Sequence, residues 1–78
     1  MTFKEAYKEM RNGKAIAHEK FADSGYWVWE DNTIMFKSYG GINYPALEAP
    51  DVGYILDMIV EDKWRAFDVP EEPIEDEV

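Results

Sequence analysis

Residues that could carry out covalent or metal chemistry are scarce in this sequence, which has one histidine, His18, and no cysteine. A zinc or iron site normally takes two or more such ligands at a set spacing. Ser24 and Ser38 lie outside the Gly-x-Ser-x-Gly pattern of a serine nucleophile. The many carboxylates are typical of a solvated surface. The sequence therefore predicts no catalytic residue, no metal site, no cofactor and no enzymatic activity.

Aromatic residues are the other source of potential chemistry, with three tryptophans, five tyrosines and four phenylalanines. In so short a chain, most of them are expected to fill the core or a subunit interface. The alternative is an aromatic wall on which a planar ligand such as a purine stacks. Such a pocket also needs donors for a ligand phosphate. The candidate donors are Arg11, His18, Asn43, Lys63 and Arg65.

Length and charge limit the functions that the chain can have. Its 78 residues make one domain, and so small a core contributes only about 3–5 kcal/mol of net stability, which favours a homo-oligomer. The net charge of −9 argues against direct nucleic-acid binding, because phosphates would be repelled. The charged N-terminal region is unlike a secretory signal, and no apolar run approaches the ~20 residues that span a membrane. A cytoplasmic location without a membrane partner is expected.

The acidity is concentrated in residues 68–78, which contain six acidic residues and no basic one. Two prolines in this stretch oppose helix formation, and the like charges repel one another. We therefore expect a single α+β domain over residues 1–67, followed by a disordered acidic tail. The alternative is an acidic arm that docks on a basic partner or imitates a nucleic acid.

The elements that would position a site begin with a helix over residues 3–12. Thr2 and Glu5 have the spacing of a capping box, in which each side chain accepts a hydrogen bond from the other residue's backbone. Asn12-Gly13 is a typical helix end. The apolar residues at the spacing of one helical face are Phe3, Ala6, Tyr7 and Met10.

A hairpin of two aromatic-rich strands is predicted in the middle of the chain, over residues 26–30 and 33–37. Asp31 and Asn32, which tolerate positive φ, form the two-residue turn. One side of the hairpin is strongly apolar and the other is mixed, so both are candidates for burial, which again favours an oligomer. The facing pairs on the apolar side are Trp27 with Phe36 and Trp29 with Ile34.

Shorter elements complete the predicted domain. Residues 15–18 and 64–67 are predicted strands, and residues 42–45 are a further short extended segment. Asp51 is positioned to cap a short helix with an apolar face that includes Ile55. The predicted fold is α+β: an N-terminal helix packed on an antiparallel sheet of about four strands, with a short second helix.

In this order, the features resemble the second Thoeris anti-defence family, a group of small phage proteins. Its members begin with a Phe-x-x-Ala helix, followed by Gly-Lys, an apolar residue, a basic residue and an aromatic residue. A Gly-Tyr-like aromatic strand comes next, and an apolar helical turn leads into a strand that contains tryptophan. The matching stretches, all within residues 1–67, are 3–6, 13–21, 25–29 and 55–67.

The sequence departs from that family at several positions. His18 stands where the family usually has arginine, Phe21 where it has tryptophan, and Lys63 where it has aspartate. Residues 40–51 do not align with the family's Pro-Ser-x-x-Asp turn. With histidine in place of arginine, we expect a doubly charged ligand to bind more weakly near neutral pH or to occupy a different pocket.

The resemblance implies a sponge: an oligomer, a dimer or tetramer, that binds a cyclic nucleotide or cyclic ADP-ribose immune signal without cleaving it. Subunit interfaces of such proteins enclose the pockets. The resemblance places Phe21 as the stacking residue, His18 as a phosphate contact and Trp64 as part pocket and part core. Trp27, Asn43 and Arg65 are candidate ligand-binding residues on their side-chain chemistry alone.

Two other functions remain open from the sequence. One is an acidic phage inhibitor that binds a host defence protein or a nucleic-acid-binding protein directly, in which case removal of residues 68–78 should abolish its effect. The other is a small structural or assembly protein whose aromatic residues are all core.

Overall fold

The computed structural model describes residues 1–48 and 50–70, which form two helices and one antiparallel sheet. The elements in chain order are α1 (Phe3–Arg11), β1 (Ala15–His18), β2 (Gly25–Glu30), β3 (Thr33–Ser38), β4 (Asn43–Pro45), a 3-10 turn (Ala46–Glu48), α2 (Val52–Ile59) and β5 (Trp64–Phe67). The strand order is β4-β3-β2-β1-β5. The α+β class is as predicted, but the sheet has five strands rather than about four, because the short segment β4 pairs fully with β3. The predicted disordered tail falls largely on residues 71–78, which lie outside the described residues.

The first helix begins at the predicted capping box. The hydroxyl of Thr2 accepts a hydrogen bond from the backbone N–H of Glu5 at 3.2 Å, and the Glu5 carboxylate accepts one from the backbone N–H of Thr2 at 2.9 Å. The helix ends at Arg11, and Gly13 follows with a φ of +101°, a conformation that favours glycine. The local signals at both ends therefore fixed the length of α1.

The predicted hairpin is confirmed in its register and its turn. Asp31 and Asn32 have φ values of 56° and 63°, as a tight turn with two left-handed residues requires. The strand pairs on the apolar side are Trp27 with Phe36 and Trp29 with Ile34.

Side chains alternate between the two faces of the sheet, so each strand residue can be assigned to one of them. We call the face that carries Trp27 the helix face, because Phe3 of α1 contacts Trp27 and Trp64 there and the Trp64 indole donates a hydrogen bond to the Met58 carbonyl of α2. We call the opposite face the second face. Its residues include Ala15, Ala17, Tyr26, Val28, Met35, Lys37, Asn43, Arg65 and Phe67.

The larger part of the core lies on the helix face and is dominated by aromatic rings, and the second face adds the buried residues Ala15, Ala17, Tyr26 and Val28. The Trp27 and Trp64 rings lie 5.1 Å apart, and Phe21 packs against both. Within the described residues, no helix is long and apolar enough to cross a membrane.

Candidate functional site

A partly open apolar cavity of about 230 Å³ lies on the helix face, where β3, β4 and α2 approach one another. Five aromatic rings line it, and Ser24, Ala46, Ile55 and Met58 complete its wall. The rings belong to Phe21, Trp27, Phe36, Tyr44 and Tyr54. The polar groups that the side chains of this wall carry are the Ser24 hydroxyl, two tyrosine hydroxyls and the Trp27 indole N–H. The cavity therefore suits a flat, largely apolar ring.

The inner wall of this cavity is held in place by ring packing and by a tight turn. The Phe21 ring is stacked on Trp27 at 5.4 Å and 24°, and it meets Phe36 edge-on at 6.0 Å. The backbone N–H of Phe21 donates to the His18 carbonyl, and the Phe21 carbonyl accepts from the N–H of Ser24. Because the turn and the packing both restrain it, Phe21 forms a preorganised surface.

The outer wall of the cavity is accessible to a ligand. Tyr44 and Tyr54 are each 42% exposed, whereas Phe21 and Trp27 are buried. A molecule that enters the cavity therefore meets the two tyrosine rings first. The neighbouring turn and α2 add further exposed apolar side chains, which are Leu47, Val52 and Leu56.

His18 lies in the core beside the cavity, with no exposed surface. Its Nδ1 accepts a hydrogen bond from the backbone N–H of Lys20 at 3.0 Å, so the neutral ring carries its proton on Nε2. Nε2 lies 2.8 Å from Oε1 of Glu61. The two atoms are not aligned as a hydrogen bond, and both are buried without a hydrogen-bond partner among the described residues. They form a close polar contact between β1 and the residues after α2.

This enclosure leaves His18 without a surface on which to contact a phosphate. A cation near the cavity wall is Lys20, whose Nζ lies 5.9 Å from the centre of the Tyr54 ring and 4.0 Å from Oε1 of Glu61. Lys20 was not among the candidate residues. It follows His18 in a polar loop, and only the packing of α2 against that loop brings it to Tyr54.

The other predicted ligand residues separate into distinct regions of the molecule. Trp64 is buried, and its Nε1 donates to the Met58 carbonyl at 2.8 Å, so it connects β5 to α2 as a core residue. Asn43 and Arg65 lie on the second face, where the Arg65 guanidinium covers the Phe67 ring at 4.8 Å. Of the six candidates, Phe21 and Trp27 alone line the cavity.

The remaining candidate phosphate donors also lie away from the cavity. The Arg11 guanidinium lies 4.2 Å from the centre of the Trp29 ring and donates a hydrogen bond to the Tyr7 hydroxyl. Lys63 belongs to a surface depression beside the N-terminus. In residues 1–48 and 50–70, no group of three or more histidine, aspartate or glutamate side chains is arranged to hold a metal ion.

No protein-family model, curated protein or solved structure matches this chain.

Proposed function

We propose that this chain binds and sequesters a cyclic nucleotide or cyclic ADP-ribose-type immune signal, without degrading it, in the cytoplasm of an infected host cell. The observation that carries the proposal is the cavity lined by five aromatic rings, with accessible tyrosines at its mouth and Lys20 beside them. Stacking of a base on aromatic side chains contributes about 1–3 kcal/mol per base. Sequestration needs affinity and abundance, and it requires no general base or nucleophile.

The size of the cavity limits how such a ligand would bind. Its volume of about 230 Å³ is below the range of about 300–1,000 Å³ typical of pockets that enclose a whole drug-sized ligand. One purine ring in the cavity, against Tyr44 and Tyr54, would leave the ribose and phosphates at the mouth. The Lys20 ammonium, 5.9 Å from the centre of the Tyr54 ring, is the candidate donor of a charge-assisted hydrogen bond to them.

A second copy of the chain is the proposed cover for the cavity mouth. Leu47, Val52 and Leu56 are each more than half exposed, and they belong to the same short turn and helix that supply Ala46, Tyr54 and Ile55 to the cavity. Such a set of exposed apolar side chains is typical of an interaction surface. A homo-oligomer that joins these surfaces would complete the site around the ligand, as the resemblance to the sponge family implies.

The proposal is tested by a thermal-shift screen of the purified full chain. The panel contains cyclic ADP-ribose isomers, cyclic dinucleotides and cyclic trinucleotides, with linear ADP-ribose and AMP as controls. A ligand at 100 times its Kd adds about 2.7 kcal/mol per site. For a domain of this size, that raises Tm by roughly 10 °C or more. Chromatography should then recover the bound compound intact.

Tyr54→Ala and Tyr39→Ala provide a matched pair for that screen. Both tyrosines are exposed, but Tyr39 packs on Tyr26 of the second face, away from the cavity. The Tyr54 variant should lose most of the shift, and the Tyr39 variant should keep it. Conversion of the ligand to linear products would contradict sequestration. A flat panel would also contradict it and would favour the acidic inhibitor of a host protein.

A further inference from the structure

The second face of the sheet is buried at its centre, although both helices pack on the helix face. Tyr26 is only 6% exposed and Val28 only 8% exposed. The Tyr26 ring contacts Tyr39 and Phe67 at the margins of this face. A groove of about 360 Å³ runs beside Tyr26 and Val28, and the last two described residues, Val69 and Pro70, form part of its wall.

The path of the chain after β5 leads onto this face. β5 is an edge strand, and Asp68, the residue after it, continues the register with β1, so that its carboxylate lies 3.0 Å from Lys14 Nζ. The hydrogen bond to Asp68 and the charge of its carboxylate raise the pKa of Lys14. Val69 and Pro70 then share the groove with Tyr26 of β2, the second strand in from that edge. At Pro70 the chain thus lies beside β2 on the second face, between Lys37 on β3 and Arg65 on β5.

The sequence that follows complements this surface in charge and in polarity. Residues 71–78 contain five acidic residues, no basic residue and one isoleucine, Ile74. The second face carries the cations Lys37 and Arg65 on either side of Tyr26. The Lys37 ammonium already lies 2.8 Å from Glu30, so a further carboxylate would share it.

The length of the remaining chain is also sufficient. Eight extended residues reach ~26 Å. The distance from β2 to β4 is two strand spacings, about 10 Å. Residues 71–78 can therefore cross the rest of the face and pass over the apolar pair Val28 and Met35, which face each other on β2 and β3.

We propose that the acidic segment 71–78 binds across the second face of its own chain, with its carboxylates near Lys37 and Arg65 and with Ile74 over Val28 and Met35. This differs from the sequence-based expectation of a free tail. It is independent of the proposed ligand function, because the aromatic cavity lies on the helix face.

The proposal is tested by a paramagnetic label on the full-length chain. Because the sequence has no cysteine, Val78→Cys provides a single attachment site for a nitroxide and leaves every acidic residue in place. Amide signals of Val28, Met35 and Lys37 should lose intensity strongly, and those of Ile55 and Met58 on the opposite side should not. Reduction of the nitroxide should restore all signals. Added salt should weaken the loss, because it screens the charge pairing.

Arg65→Gln and Lys63→Gln separate the charge pairing from general effects of charge. Arg65 lies on the second face, whereas Lys63 precedes β5 and lies outside it. The Arg65 variant should reduce the signal loss, and the Lys63 variant should not. Equal, weak losses on both faces of the labelled full chain would overturn the proposal. Losses that appear on unlabelled chains mixed with labelled ones would also overturn it, because they would identify a second copy as the occupant.

Discussion

At the scale of single residues, the histidine has a structural rather than a surface position. His18, the last residue of β1, is enclosed in the core, with a hydrogen bond at Nδ1 and a close contact between Nε2 and Glu61. Its aromatic neighbours Phe21 and Trp64 leave no path for a ligand phosphate. The sequence placed His18 correctly at the end of a strand. It gave no sign of Glu61, because that contact depends on where α2 packs.

Two substitutions of Glu61 test the buried pair. Glu61→Gln keeps an acceptor oxygen for the Nε2 proton and should change the free energy of unfolding by less than about 1 kcal/mol. Glu61→Ala removes the carboxylate that lies beside that buried N–H and should cost about 1–3 kcal/mol. Urea unfolding of both variants measures the difference. Equal stabilities would show that the 2.8 Å contact contributes nothing.

The Lys20 side chain is the residue-scale prediction for ligand binding. Lys20→Gln removes the cation beside Tyr54 and should weaken binding of an anionic ligand about tenfold or more, since hydrogen bonds to charged groups contribute about 1.5–3 kcal/mol. Lys63→Gln makes the same change of charge away from the cavity and should leave Kd within about twofold. Calorimetric titration with the ligand found in the screen gives both values. An equal loss in the two variants would indicate a general charge effect.

At the scale of elements, the sequence predicted helices and strands best where it contains residues with specific roles in helix caps and tight turns. The capping box of Thr2 and Glu5 set the start of α1, and the Asp31-Asn32 turn set the register of the hairpin. The period-two alternation then assigned Trp27 and Trp29 to one face. The sequence predicted β4 less clearly. This strand is three residues long and ends in Pro45, so its pairing depends on β3 rather than on its own sequence.

Gly25 is the element-scale prediction for stability. A Cβ atom at Gly25 would overlap the Lys37 carbonyl oxygen and would lie 2.8 Å from Cζ of Phe36. Gly25→Ala should therefore force β2 and β3 apart and cost about 1–3 kcal/mol. Gly40→Ala is the control, since its nearest neighbour would be the Ser38 hydroxyl at 3.5 Å, and it should change stability by no more than about 0.5 kcal/mol. Thermal unfolding compares them, and equal Tm values would contradict the close packing at Gly25.

At the scale of the whole molecule, the cavity is formed by elements that are distant in sequence, so no local sequence pattern predicts it. Phe21 was predicted from the family resemblance, but the cavity beside it exists only because α2 and β4 approach the same part of the helix face. Arg65 is on the second face because β5 pairs with β1, which places it opposite Ala17. The sequence therefore indicated which aromatic residues were available for a site, and the strand order and helix packing determined which of their rings are in contact.

The central claim is that a nucleotide-type ligand enters the aromatic cavity, and the three tryptophan indole N–H signals test it most directly. Trp27 lines the cavity, whereas Trp29 lies under Arg11 at another part of the fold. On titration of the full chain with the ligand from the screen, the Trp27 indole signal should shift and the Trp29 signal should remain unchanged. An unchanged Trp27 signal at a saturating ligand concentration would contradict the claim.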